Sequence, residues 1–395
     1  MKEGFEFFLE EYVEKKQIAY DETNEIRIEV STDKAEEIVV FFITLQEKII
    51  ETNEKSPVSV HMYSKKISSN ILLFGFEANF AINFYNIEFD AWLDFENAVF
   101  KENVRFHECD FYACNFENTT FESLVDFYQS HFHNDTKFSL TDFLDRAIFS
   151  ETVFHEGVIF IYIRPGSDTF ISFERATFKK GLDLSRSNLN NANLQFFGMR
   201  MEEDKIEVLL MIPFYTNSKH KNIQSAQNFR ETYRLIKHEH EKTSNSVESI
   251  RYKILELKAY KYELKLSKNY QFWKKQYWRR GQDRASLFLN RVSNSYGTNW
   301  ARAFLFTIGF ALLFLTIYYL IFRFDSHVEQ IPDFGMVVNS LLYLFILTKW
   351  DFMSFYSYYC NYEPDWVLSW LFITRLVIGY GVFQFVQAFR RLNRK

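Results

Sequence analysis

From Phe84 to Phe160 one apolar residue returns every five or six positions: Phe84, Phe89, Phe95, Phe100, Phe106, Phe111, Phe116, Phe121, Phe127, Phe132, Phe138, Phe143, Phe149, Phe154 and Phe160. The series resumes at Phe173, Phe178, Leu184, Leu189 and Leu194. A helix brings every third or fourth residue to one face and a strand every second, so neither carries this period. A fixed repeat of this kind predicts a solenoid, in which each coil buries its apolar residue against the coils on either side. Two residues before each rung the side chain is small or β-branched, as at Ala98, Val104, Cys109, Cys114, Thr119 and Val125. The residues between are polar, as in Phe-His-Glu-Cys-Asp-Phe (106–111). Each repeat therefore turns one large and one small side chain inward and leaves the rest to water.

This pattern, over residues 74–197, resembles the pentapeptide-repeat family. The resemblance implies a narrow, right-handed, quadrilateral β-helix. With four rungs to a coil the series makes about five coils, a rod of about 20–25 Å at about 4.8 Å per stacked strand. The phenylalanines then form its core. The segment 161–171, with Arg164-Pro-Gly-Ser-Asp168, reads as a loop that leaves the rod and offers a place for a signal or partner to touch.

The flanking segments have other periods. Residues 25–30 alternate like a strand, 33–50 read as an amphipathic helix, and 58–63 as a second strand. Together they predict a small α/β unit covering one open end of the solenoid. Residues 222–242 and 247–280 lack Pro and Gly and predict a helical hairpin, broken at 243–246, with Asn245 or Ser246 as the second helix's cap. That hairpin could act as a lever, and its end, Trp-Lys-Lys-Gln-Tyr-Trp-Arg-Arg (273–280), reads as an anchor at an anionic lipid surface. Farther on, 303–322 holds no charged residue, and 366–389 is a second long stretch, interrupted by the single charge of Arg375. Both are long enough to cross a hydrocarbon core of about 30 Å. Residues 335–348 are apolar but too short to cross, which suits a re-entrant segment.

The fold expected is mixed: a β-helix, a helical hairpin, and an α-helical two-span membrane domain with a re-entrant segment. The corresponding divisions are an N-terminal capping region over 1–73, the repeats over 74–200, a linker over 201–221, a cytoplasmic helical connector over 222–299 and a membrane domain over 300–395.

Charge sharpens the division. The whole chain carries −5, but residues 74–200 hold 19 acidic and 10 basic residues, whereas 219–395 hold 13 acidic and 26 basic. Arg279, Arg280, Arg284, Arg291 and Arg302 precede the first span, and Arg390, Arg391, Arg394 and Lys395 follow the second. The segment between the spans is acidic. The positive-inside rule then puts both termini in the cytoplasm, at the inner membrane of a bacterium. Residues 1–14 lack a signal-peptide pattern. Three cysteines supply no disulfide framework, and Cys109 and Cys114 fall at inward small positions.

The order of span, short apolar segment and span resembles one subunit of a tetrameric two-transmembrane cation channel, over about 225–395. Residues 334–348 look like a pore helix running into a filter, Gly379 falls where such channels carry a hinge, and 229–237 look like the connector seen when pentapeptide repeats precede such modules. The filter itself departs from the family: Thr348, Lys349, Trp350, Asp351 and Phe352 include no glycine, so a carbonyl-lined potassium filter is not expected. Side chains of that loop would set selectivity, and the acidic outer segment would concentrate cations. Arg375 reads either as a pore-facing gating charge or as the partner of an acid such as Asp365 or Asp351. Thr374, Gly381, Gln384 and Ala388 form a small or polar stripe that suits an inner pore lining, a gate, or a close helix contact.

These features predict a homo-oligomeric channel, a homotetramer on the plan of that family, passing ions and gated through the solenoid by a cytoplasmic trigger. Such a design also suits a stress or phage-defence effector that depolarises the cell. The alternative is a non-conducting membrane tether that presents an acidic rod to a protein partner, as a scaffold or a DNA mimic. Nucleic acid itself is not an expected partner of so acidic a rod. No nucleotide-binding glycine loop, nucleophile elbow or metal-ligand spacing stands out, so neither catalysis nor a cofactor is expected. His238 and His240 lie two apart, off a common helix face, and read as surface residues.

Overall fold

The computed structural model describes residues 18–20, 26–52, 57–189, 191–201, 219–266, 275–325, 332–345, 355–360 and 363–392. They form two compact units, Met1–Lys268 and Asn269–Lys395.

The first unit is a β-solenoid of about six turns. One column of strands climbs it in parallel register: Val58–Tyr63, Ala81–Tyr85, Val104–His107, Val125–Asp126, Arg146–Ile148, Phe170–Ser172 and Asn193–Gln195. At about 4.8 Å per step the stack rises about 30 Å. It is a turn longer than the phenylalanine series indicates, because Met62, Ile67 and Leu73 occupy in the first coil the places that Phe84, Phe89 and Phe95 occupy in the next.

The core is four columns of stacked rings. Phe84, Phe106, Phe127 and Phe149 lie face to face with centroids 4.8, 5.1 and 5.2 Å apart. Phe89, Phe111, Phe132 and Phe154 form a second column, Phe95, Phe116, Phe138 and Phe160 a third, and Phe100, Phe121 and Phe143 a fourth. Rings of neighbouring columns meet edge to face, as Phe116 does with Phe127. Rings such as Phe116 and Phe127 thus have stacked and T-shaped partners at once, the two geometries aromatic pairs favour.

The small positions have their own logic. The hydroxyls of Thr119, Ser130, Thr141 and Thr152 donate to the carbonyls of Phe95, Phe106, Phe116 and Phe127 at 2.7–2.8 Å. Each is fully buried, and the bond to the coil below removes the penalty of an unpaired polar group. Two corners per coil turn through left-handed residues, at Asn86, Asn97, Glu108, Asn118 and onward, two residues after a rung. Asn, which tolerates that region, holds three of these four places.

Both ends are covered. Strand Ile26–Val30 lies parallel to Val58–Tyr63 across helix α1 (Ala35–Thr52), whose Phe42 meets Phe76, Phe80 and Phe84. At the other end helices α2 (Lys219–Lys242) and α3 (Ser246–Leu266) form a hairpin, with α2 on the last coil. Thr232 Oγ1 accepts from the Leu184 amide at 3.0 Å, and Asn228 donates to Asp183 at 2.9 Å. Arg230 pairs with Glu263 at 2.7 Å and Lys237 with Glu256 at 2.8 Å across the hairpin. Asn245 caps α3, accepting from the Glu248 amide.

Two expectations are corrected here. Segment 161–171 stays in the wall: Arg164–Pro165 pairs with Asp142–Phe143, and the extra residues are absorbed at Gly166–Asp168, before the next strand. His240 is buried, 6% exposed, its ring stacked 5.5 Å from Tyr252 and near Phe196. Its charged chain neighbours conceal that burial in the sequence.

Candidate functional site

The second unit holds helices α4 (Lys275–Asn294), α5 (Trp300–Arg323), α6 (Phe334–Phe345), α7 (Phe355–Cys360) and α8 (Trp366–Leu392). At 1.5 Å per residue α5 extends about 36 Å and α8 about 40 Å, enough to cross a bilayer, whereas α6 reaches only about 18 Å. The apolar stretches of α5 and α8 are only 22% and 33% buried. A core helix of a water-soluble protein would be mostly buried, whereas these two leave Leu305, Leu312, Leu368 and Phe383 exposed.

The two long helices run antiparallel, Phe304 meeting Phe385, Thr307 facing Gly381, and Phe314 meeting Trp370. Helix α6 rests on both, Leu344 sharing a core with Leu315 and Leu371. Asp333 caps α6, its carboxylate accepting from the Met336 amide at 2.7 Å. Helix α7 adds Phe355 and Tyr356 to that core; Tyr318 Oη accepts from the Phe355 amide at 2.9 Å. Tyr356 donates to Asp325 at 3.1 Å, and burial, with the carboxylate second, holds its hydroxyl well above the ordinary tyrosine range.

Thr348, Lys349, Trp350, Asp351 and Phe352 lie outside the described residues. The candidates on α8 are all described. Thr374 is buried and its hydroxyl donates to the Trp370 carbonyl at 2.7 Å. Arg375 is 5% exposed. Asp365 precedes it by ten residues, about 15 Å of helical rise, beyond the reach of an ion pair. Gly379 is half-buried, and Gly381 is buried where a β-carbon would stand 2.4 Å from Thr307 Oγ1. Gln384 accepts from Asn294 and donates to Asn290 at 3.4 Å. Within one chain, then, Gly381 and Gln384 face α5 and α4.

Asn290 and Asn294 escape a reading by sequence, although their spacing of four on an otherwise basic helix sets them on one face. Asn294 organises the elbow between α4 and α5. Its carbonyl accepts from Gly297, Thr298 and Asn299, and its side chain from the Gly297 amide at 2.8 Å. Ser295, Tyr296 and Gly297 all turn left-handed there. The Asn294–Gln384 bond fastens this turn to α8.

Residues 95–139 and 116–163 match the family model described as pentapeptide repeats (9 copies). No curated protein and no solved structure gives a match to the chain.

Proposed function

We propose that α5 and α8 cross a bacterial inner membrane and that several copies, on the plan of a tetramer, assemble into an ion pore gated by the solenoid. The observation that carries this reading is α6, an apolar helix too short to span, set between two helices that can and packed on both. The four ring columns support a right-handed quadrilateral rod, and the basic flanks of α5 and α8 support cytoplasmic termini. In that orientation α4 lies along the inner leaflet, with Arg279, Arg280 and Arg284 toward lipid phosphates. The acidic connecting segment would gather cations at the outer mouth, while Lys349 and Asp351 compete for the axis.

The test is ion flux from liposomes carrying the purified full chain. Dissipation of an imposed cation gradient is expected, and liposomes that stay tight across voltages, pH values and salts overturn the pore.

A second reading, a non-conducting tether for the acidic rod, is favoured by the contacts Gly381–Thr307 and Gln384–Asn294, which use the small and polar stripe of α8 inside one chain. A particle whose central axis is filled by packed side chains would favour the tether. Inhibition of DNA gyrase by the full chain would further identify the rod as a DNA mimic.

A further inference from the structure

We propose that His131, His133 and His155, on the wall of the solenoid, form a binding site for a divalent transition-metal ion of the zinc class. One ring nitrogen of each lies within 4.8 Å of one from both others. The coil builds this cluster. Phe132 pairs with Phe154, so His133 and His155 fall in one column on adjacent coils, their rings 4.6 Å apart, while His131 stands two residues before His133 on the same outward face. Zinc–nitrogen bonds of about 2.0–2.1 Å set neighbouring nitrogens roughly 3.4 Å apart, so closure needs a movement of about 1.5 Å or less. Half-buried imidazoles reach that by small rotations about their side-chain bonds, with no change in the backbone.

Two further observations point to a ligand. His133 Nε2 lies 2.8 Å from Asp110 Oδ1. A proton held there by the carboxylate leaves Nδ1 with its lone pair outward, the arrangement in which a carboxylate orients a metal-bound histidine and raises its basicity. Tyr112, stacked 4.4 Å from His133, fixes the ring from the other side. Second, His155 Nε2 is buried with no hydrogen-bond partner among the described residues. Burying an unpaired ring nitrogen is costly, and a metal ion at this place would remove that cost. Three neutral imidazoles suit zinc, copper(II) or nickel(II) and are poor ligands for calcium or magnesium, which prefer oxygen.

Lys179 opposes binding. Its ammonium stands 3.1 Å from His155 Nδ1 and adds positive charge beside the site. It is a half-buried, flexible side chain, and binding would turn it out to solvent. The site therefore has a built-in antagonist, and removing it gives a test whose sign differs from that of ligand loss.

The experiment is calorimetric titration of the metal-stripped, detergent-solubilised full chain with zinc chloride, repeated with cobalt(II) read by its visible absorption. One zinc per chain is expected, with a tetrahedral cobalt spectrum. His133→Asn or His155→Asn should abolish both. Asp110→Asn, acting through His133, should weaken zinc by about 10- to 100-fold while one ion per chain still binds. Lys179→Ala should tighten it, and His107→Asn, at a separate pair with Asp126, should leave it unchanged. Absence of saturable zinc binding by the parent, or equal binding by His133→Asn and parent, overturns the site. Lys179→Ala guards against misfolded ligand variants, since unchanged or weaker affinity there counts against the site directly.

Discussion

Gly181 lies so near the ring of Phe229 that a β-carbon on it would stand 2.8 Å from Cε1 of that ring. The glycine is on the last coils of the solenoid and the phenylalanine on α2, so this contact lets the hairpin close down on the open end. Its φ of +118° is a second reason for glycine, since side chains strain there. Gly181→Ala should destabilise the first unit by about 1–3 kcal/mol, through overpacking and backbone strain together. Chemical denaturation of the full chain, followed by tryptophan-independent far-ultraviolet signal, checks it; an unchanged midpoint would mean that the hairpin does not seal the coil.

Phe127 sits in the middle of the ladder, stacked on Phe106 and Phe149 and edge-on to Phe111, Phe116 and Phe138. Phe127→Ala should cost about 3–5 kcal/mol, the usual range for a buried ring, because coils locked above and below collapse poorly onto a hole. Phe127→Leu should cost clearly less, because a buried aliphatic side chain keeps most of the volume. Unfolding midpoints of the two variants give the ordering, and equal losses would show that stacking geometry, rather than volume, holds the rod.

The buried thiols allow a chemical test of the same core. Cys109 and Cys114 occupy inward positions, and burial pushes both thiols up to about 12. Iodoacetamide at pH 8 should therefore leave both intact in the folded chain and modify half-buried Cys360 first. Mass spectrometry of the alkylated peptides decides it, with denaturant making all three reactive.

How much of this was legible follows from where each signal is stored. The repeat announces itself because each of the four sides of a coil takes a ring, and successive turns repeat that need. Its first turn is silent because Met62, Ile67 and Ala78 replace Phe84, Phe89 and Phe100. Segment 161–171 misleads because Pro165 stands where Phe143 stands one coil earlier. The two long apolar helices are written in local composition, but the Asn294–Gln384 bond joins residues ninety positions apart and leaves no local trace. The same holds for His131, His133 and His155, which meet only because a coil takes about 22 residues.

Acid should loosen the hairpin end. Burial holds the His240 imidazole below its ordinary value, with Glu248 and Glu239 acting in the opposite sense. The unfolded chain, whose histidine titrates near 6.5, then binds the proton more readily than the folded one. Stability is therefore full above about pH 6.5 and falls as the pH drops through the lower folded value. His155, held down by burial and Lys179, adds the same sign, so the informative quantity is a difference. His240→Phe should flatten part of the fall between pH 7 and 5 while keeping the contacts with Phe196 and Tyr252. Parallel midpoint-against-pH curves for parent and variant would show that His240 is not the source.

The contact between Thr307 and Gly381 sets how closely α5 and α8 approach, and it can be separated from every other contact of the pair. A β-carbon at 381 would stand 2.4 Å from Oγ1, 3.0 Å from Cβ and 3.1 Å from Cγ2 of Thr307, so Gly381→Ala must push the helices apart or turn Thr307 away. Turning it away breaks the 2.7 Å bond from Thr307 to the Ala303 carbonyl. Overpacking of this kind costs about 1–3 kcal/mol. Thr307→Ala removes two of the three clashing atoms, so the double variant should recover part of that loss, a coupling of about 0.5–3 kcal/mol in the favourable direction. Thermal midpoints of the four proteins in one detergent measure it. Additive losses would mean that the two residues are not in contact in the solubilised protein, and the stripe of α8 would then be turned toward something other than its own chain.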